Sequence, residues 1–253
     1  MLSQQEKLKY SRQIMLKNIG EDGQLALSNA HILIIGMGGL GNPAALYLAA
    51  AGVGKLTLVD GDNIELSNLP RQILFSESNK NENKAECASQ KLQQQYPDCE
   101  IEVIDEMFDQ ENAEFYLPQV DLVLDCTDNI QSRYLINRLC IEHKVTLIIG
   151  AAIGFDGQHM VVDPNNGESA CYHCLYPESE KAPSNNCQTA GVVGPILAIV
   201  GGMQALSAIK AITHNQLAIN QFSLFDGLSN QWQQFKMSKQ ANCTVCNHSQ
   251  MKN

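Results

Sequence analysis

The stretch "IIGMGGLGNPAALYLAAAGVGKLTLVD", Ile34 to Asp60, constrains the fold more than any other part of the chain. An apolar run, "HILIIG", ends in glycine, and Gly36, Gly38 and Gly41 spell G-x-G-x-x-G. The apolar segment Leu40 to Ala51 follows, and "KLTLV" ends at Asp60, nineteen residues after Gly41. Short β-rich apolar runs of this kind are buried parallel strands. Glycine lets backbone turn tightly and approach a phosphate closely. The N–H groups opening the following helix would face that phosphate, and a carboxylate ending the second strand accepts from ribose hydroxyls. Strand, glycines, helix, strand and acid in this order predict a nucleotide cradle. The motif leaves open whether the ribose belongs to NAD, S-adenosylmethionine or ATP.

The same rhythm continues. A helix is predicted from about Asn83 to Gln95, then strand "IEVI", a helix from about Gln110, strand "DLVLD", helix Ile130 to His143 and strand "VTLII". Alternation of this kind predicts an α/β fold with a doubly wound, Rossmann-like, mainly parallel sheet. After Gly150 the pattern changes to "GQHMVVD", a polar loop from Pro164 to Gln188, an apolar helix, then "QFSLFDG" and "QWQQFKM". The last two runs are hairpin-like and predict an antiparallel extension of the sheet. Residues Ser3 to Ile19 read as one amphipathic helix. The 253 residues are read as a single domain, with a helical arm (1–28), a nucleotide-binding half (29–150) and a partner-binding half (151–253).

Formal charge −10 argues against nucleic-acid or anionic-membrane binding. The polar start "MLSQQEKLKYSRQ" has no apolar signal-like run, so a cytoplasmic location is expected. Gly191 to Ile209 is uncharged, but its four glycines, Pro195, Gln204 and Ser207 favour a core helix over a membrane span.

Four of nine cysteines form two C-x-x-C pairs, Cys171 and Cys174 in "CYHC" and Cys243 and Cys246 in "CTVC". Two thiolate pairs at this spacing predict one tetrahedral Zn²⁺ site of structural type. His173 and His248 lie close by as alternative ligands that four cysteines leave unneeded. Cys87, Cys99, Cys126 and Cys140 read as ordinary packing residues. Cys187 stands apart in the polar segment "SNNCQTAGVVGP", ahead of a helix start, where a thiolate could be stabilised; the residues alone read equally as an incidental loop cysteine.

Around the glycine loop, "NLPRQ" supplies Asn68, Arg71 and Gln72, Lys84 opens a helix, and "DCTDN" puts Asp128 and Asn129 after the fourth strand, with Arg133 a turn further. Ligands bind at this edge of an open α/β sheet. Arg71 and Lys84 could neutralise a triphosphate, and Asp128 could hold Mg²⁺. A nicotinamide-dependent oxidoreductase needs neither. A noncatalytic zinc-stabilised binding module is the other alternative class.

The chain resembles the ThiF/MoeB/HesA adenylyltransferases, relatives of ubiquitin-activating enzymes, over nearly its whole length. "KYSRQI", "GMGGLG", "VDGD", "LSNLPRQ", "DCTDN", "CYHC", "NCQTAGVVGP", "LFDG" and "CTVC" carry the resemblance. It implies ATP at Gly36, Gly38, Gly39 and Gly41, Asp60 and Asp62 at the ribose end, Asn68, Arg71, Gln72 and Lys84 around the phosphates, and Asp128 and Asn129 beside magnesium. It further implies a homodimer in which Arg12 reaches the partner's ATP, a catalytic set of Arg12, Arg71, Lys84, Asp128 and Cys187, and a ubiquitin-fold sulfur carrier as substrate. "NCQTAGVVGP" and "CLYPE" look more like ThiF than MoeB, favouring the ThiS carrier and thiamine biosynthesis over the molybdopterin carrier. Cys187 then matches a cysteine implicated in a covalent link to the carrier, with sulfur coming from a separate persulfide donor protein. Pro70 departs from the family's usual glutamine and leaves Asn68 and Arg71 intact.

Overall fold

The computed structural model describes residues 1–178, 191–214 and 216–247. Eight strands form one sheet in the order β3-β2-β1-β4-β5-β6-β7-β8. β1 (His31–Ile35), β2 (Lys55–Val59), β3 (Glu100–Ile104), β4 (Leu122–Asp125) and β5 (Thr146–Ile153) are parallel. β6 (Asp156–Val162), β7 (Gln221–Asp226) and β8 (Gln231–Lys236) continue the sheet antiparallel, the last two as the sequence predicts. The chain runs outward from β1 through β2 to β3, then returns to place β4 on the other side of β1. That reversal opens a crevice at the carboxyl ends of β1 and β4, the usual ligand position in such a sheet.

Two apolar clusters cover the two faces. One contains Leu48, Leu56, Val200 and Phe225, and the other Leu33, Val123, Ile136 and Leu147. The first face is covered by α4 (Gly41–Ala51), α5 (Lys84–Gln95) and the long apolar helix, here α9 (Gly194–Ile212). α9 is long and apolar enough to cross a membrane, but Ile196, Leu197, Val200, Ala205 and Ala208 are buried in the core. Pro195 occupies its first turn, where a missing N–H costs nothing. The other face carries α6 (Gln110–Tyr116), α7 (Ile130–His143) and the short α8 (Tyr172–Leu175).

The N-terminal segment corrects one expectation. Ser3 to Ile19 is not one helix: α1 (Gln4–Lys9) is capped at Tyr10, α2 (Ser11–Ile14) is a single turn, and α3 (Gly20–Asn29) begins only at Gly20. Tyr10 caps α1 at φ −98°, ψ 14°, and its ring packs over Gly52. Burying that ring redirects the chain, at the expense of a continuous helix. The polar loop after Pro164 likewise contains α8, an unpredicted turn of helix.

Candidate active site

The glycine loop joins β1 to α4. Gly36 has φ +94°, and a Cβ there would lie 2.9 Å from Cys126 O. A Cβ on Gly41 would overlap Gly36 O, so this turn needs glycine at both ends. Gly41 is buried behind the loop, while Gly36, Gly38 and Gly39 line a cleft of about 200 Å³.

The other predicted groups converge on this cleft: Asp60, Asp62 and Lys84, Asn68, Arg71 and Gln72, and Asp128 and Asn129 all line it. Asp60 is buried; its Oδ2 accepts from Met37 N at 2.7 Å and its Oδ1 from Asp62 N at 2.9 Å. Each carboxylate oxygen can accept a second bond. Burial raises the Asp60 pKa, and the Lys84 charge opposes that rise. Lys84 Nζ lies 2.8 Å from Asp62 Oδ2, with only 9% of its side chain exposed. Asn83 precedes it as an N-cap, accepting from Ala85 N and Glu86 N, which fixes where α5 presents Lys84.

Arg71 Nη1 donates to Ser67 O at 2.7 Å. Gln72 is buried, and its Oε1 has no hydrogen-bond partner among the described residues. A buried orphan acceptor beside a cleft is a group for a ligand to satisfy. Asp128 is exposed, and Asn129 caps α7 through Ser132 N at 2.8 Å.

Sequence reading named Arg133 but missed Asp125 and Gln204, which support the segment that carries Asp128. Asp125 is fully buried, and its Oδ1 accepts from Thr127 N at 3.0 Å and Thr127 Oγ1 at 2.7 Å. Arg133 Nη2 donates to Thr127 O at 2.7 Å. Together they fold the "DCTDN" turn that presents Asp128. Burial raises the Asp125 pKa, and Arg133 opposes it. Gln204, from α9, donates to Asp125 O at 2.8 Å and Ile148 O at 3.2 Å. Met107 and Phe108 also line the cleft; their place just after β3 was the available signal.

One predicted residue among those described is not in this cleft. Arg12 is exposed on α2 and does not line it. Cys187 lies outside the described residues, as does His248.

The four paired cysteines do come together. All four Sγ atoms of Cys171, Cys174, Cys243 and Cys246 lie within 4.8 Å of one another, and all four residues are buried. Sγ separations are 3.9 Å for Cys171–Cys174, 3.7 Å for Cys171–Cys243 and 3.5 Å for Cys174–Cys246. A tetrahedron with Zn–S bonds of about 2.3 Å has edges of about 3.8 Å, so the donor set fits zinc. Hydrogen bonding from Cys246 pulls the Cys171 thiol down to about 5 against its burial, and holds Cys246 up in turn. Gln240 N donates to Cys174 Sγ at 3.4 Å, and His173 Nδ1 sits 3.7 Å from Cys243 Sγ, outside the four-sulfur set. Burial raises the other described thiols, Cys87 to about 11 and Cys99 to about 12, with Cys126 and Cys140 also raised. They are packing residues, not nucleophiles.

A doubly wound sheet with a glycine loop, a buried acid after its second strand and two cationic side chains at its switch point has the form of a nucleotide-binding α/β protein. The chain belongs to the ThiF family, whose profile matches residues 10–245. Sulfur carrier protein ThiS adenylyltransferase of Escherichia coli (strain K12) is 43% identical over 245 residues, covering 97% of each chain. Adenylyltransferase and sulfurtransferase MOCS3 of Drosophila yakuba is 42% identical over 248 residues, which are 97% of this chain and 54% of that protein. The chain thus spans about half the length of this second relative. E. coli MccB, solved with MccA-N7isoASN, superposes with a TM-score of 0.82 over 94% of this chain and 74% of its own, at 23% identity. That similarity is one of fold.

Proposed function

We propose that this protein uses ATP to adenylate the C-terminal glycine carboxylate of a ThiS-like, ubiquitin-fold sulfur carrier, activating it for thiocarboxylate formation in thiamine thiazole biosynthesis. The observation that carries this reading is a single cleft in which the glycine loop, Asp60, Arg71, Lys84 and Asp128 meet. The near-full-length similarity to E. coli ThiS adenylyltransferase supports the choice of carrier. The similar identity to MOCS3 keeps adenylation of the molybdopterin synthase small subunit as the second reading.

A carboxylate is a poor electrophile because oxide is a poor leaving group. In this reaction its oxygen attacks the α-phosphorus of ATP, the α–β bridging P–O bond breaks, and pyrophosphate leaves. The carboxylate is already ionised at neutral pH, so no general base is required. The task is positioning and charge neutralisation. Asp60 would hold the ribose, the glycine loop and the N-terminus of α4 the phosphates, and Arg71 and Lys84 the charge that departs with pyrophosphate. Asn68, Gln72 and Asn129 would orient the nucleotide. Asp128, an exposed oxygen donor on the cleft, fits Mg²⁺, which when bound would neutralise phosphate charge. Zn²⁺ on the four thiolates would pin the C-terminal tail to α8.

The remaining assignments concern groups outside the cleft. Arg12 would act on the nucleotide of a second subunit in a homodimer. Tyr47 on α4 and Ile199 and Leu206 on α9 leave exposed apolar surface that supports self-association. Cys187 would take part in sulfur transfer from a persulfide donor protein after the adenylate forms. Reduced thiols in the metal cluster suit a cytoplasmic location.

ATP–pyrophosphate exchange tests the proposal. Exchange is expected with purified ThiS and not with the molybdopterin carrier; the reverse selects the second reading, and exchange with neither rejects adenylation. Cys187→Ser is expected to keep exchange within about a few-fold and lose most thiocarboxylate formation from a persulfide donor. Free sulfide is excluded because it can attack the adenylate directly.

A further inference from the structure

The walls of the nucleotide cleft come from distant parts of the chain, and one buried amide joins them. Asn42, in the first turn of α4, is fully buried and does not line the cleft. Its Nδ2 donates to Met37 O at 2.8 Å, inside the glycine loop. Its Oδ1 accepts from Leu74 N at 2.9 Å, three residues beyond Arg71. Its backbone N–H donates to Gly38 O at 3.0 Å. Met37 is held through both of its backbone polar groups, since its N–H donates to Asp60 Oδ2. Leu74 is held likewise: its carbonyl accepts from Lys91 Nζ at 2.6 Å, and Lys91 also donates to Asn79 Oδ1 at 2.7 Å. A continuous chain of bonds therefore runs from the Asp60 carboxylate, through Met37 and Asn42, to the segment that presents Asn68, Arg71 and Gln72.

We propose that Asn42 is a positioning residue for the triphosphate end of the nucleotide, and that Lys91 is its counterpart at Leu74. This rests on the cleft binding ATP, as argued above. A side chain spanning the two walls must donate at one end and accept at the other, which a primary amide does. Aspartate would accept from Leu74 N but would set a second oxygen against Met37 O. Alanine would leave the buried Met37 carbonyl and the partly buried Leu74 N–H unpaired, freeing the Arg71 segment to move relative to the glycine loop. The adenosine end would be less affected, because Asp60 keeps its own bonds to Met37 N and Asp62 N.

ATP and AMP affinities, measured on the folded full-length protein well below its melting temperature, decide the matter. Asn42→Ala is expected to weaken ATP at least about tenfold while AMP changes by less than about threefold. Lys91→Met is expected to show the same split, and the double variant to lose less than the product of the single losses. Equal losses for both nucleotides, or unchanged ATP affinity, would overturn the proposal. If Asn42→Ala does not fold, Lys91→Met decides by the same criterion. A parent protein that binds no ATP would reject the functional reading, not the role of Asn42 within the cleft.

Discussion

His159, on β6, is 6% exposed and shares a hydrogen bond of 3.1 Å with Ser207 Oγ of α9. Burial, reinforced by the nearby Lys210 charge, lowers its pKa from 6.5 to about 4. The folded protein therefore holds His159 neutral at pH values where the unfolded chain binds a proton. Unfolded chains take up the extra proton as pH falls below 6.5, so stability falls with pH and the loss is complete below about 4. At ~1.4 kcal/mol per pKa unit the whole loss is about 3 kcal/mol. Between about pH 7.5 and about pH 5.5 the share that develops is about 1.3 kcal/mol. Urea denaturation of the parent and of His159→Gln at both pH values isolates this contribution. Glutamine keeps a hydrogen-bonding group beside Ser207 without titrating. The raised carboxyls of Asp60 and Asp125 act in the opposite direction, but they are common to both proteins and cancel in the comparison. His159→Gln should lose about 1.3 kcal/mol less than the parent over this interval. Equal pH dependence in the two proteins would show that His159 is protonated in the fold, and would refute the reasoning.

The metal cluster and the assembly give two further expectations. Reduced protein never exposed to chelator should contain about one zinc per chain, and removing it should cost on the order of 10 kcal/mol, less whatever structure the apo chain retains; substantially less than one zinc per chain rejects the site. Arg12→Ala should abolish pyrophosphate exchange while remaining dimeric. Mixing it with Asp128→Ala should restore roughly a quarter of parental activity, since half of the random dimers are mixed and each has one intact site. No rescue between chains shown to exchange would remove the cross-subunit role of Arg12.

Much of the nucleotide cradle could be read directly from the sequence, because it is built from local rules. The run "HILII" ends at a glycine that must adopt positive φ, and helix Ile130–His143 and the strands around it follow from short-range periodicity. Two C-x-x-C pairs announce a metal centre without saying how a loop and a distant tail meet. The tertiary structure decided what depends on contacts between remote segments. Tyr10 breaks the N-terminal helix because Gly52 lies beneath its ring, a neighbour forty-two residues away in the chain. Asn42, Asp125 and Gln204 look like ordinary polar positions in sequence, yet all are fully buried. Only the packed sheet brings to each the backbone groups it serves. Periodicity records which side of an element faces the core, whereas a buried polar side chain is justified by partners that folding alone brings within reach.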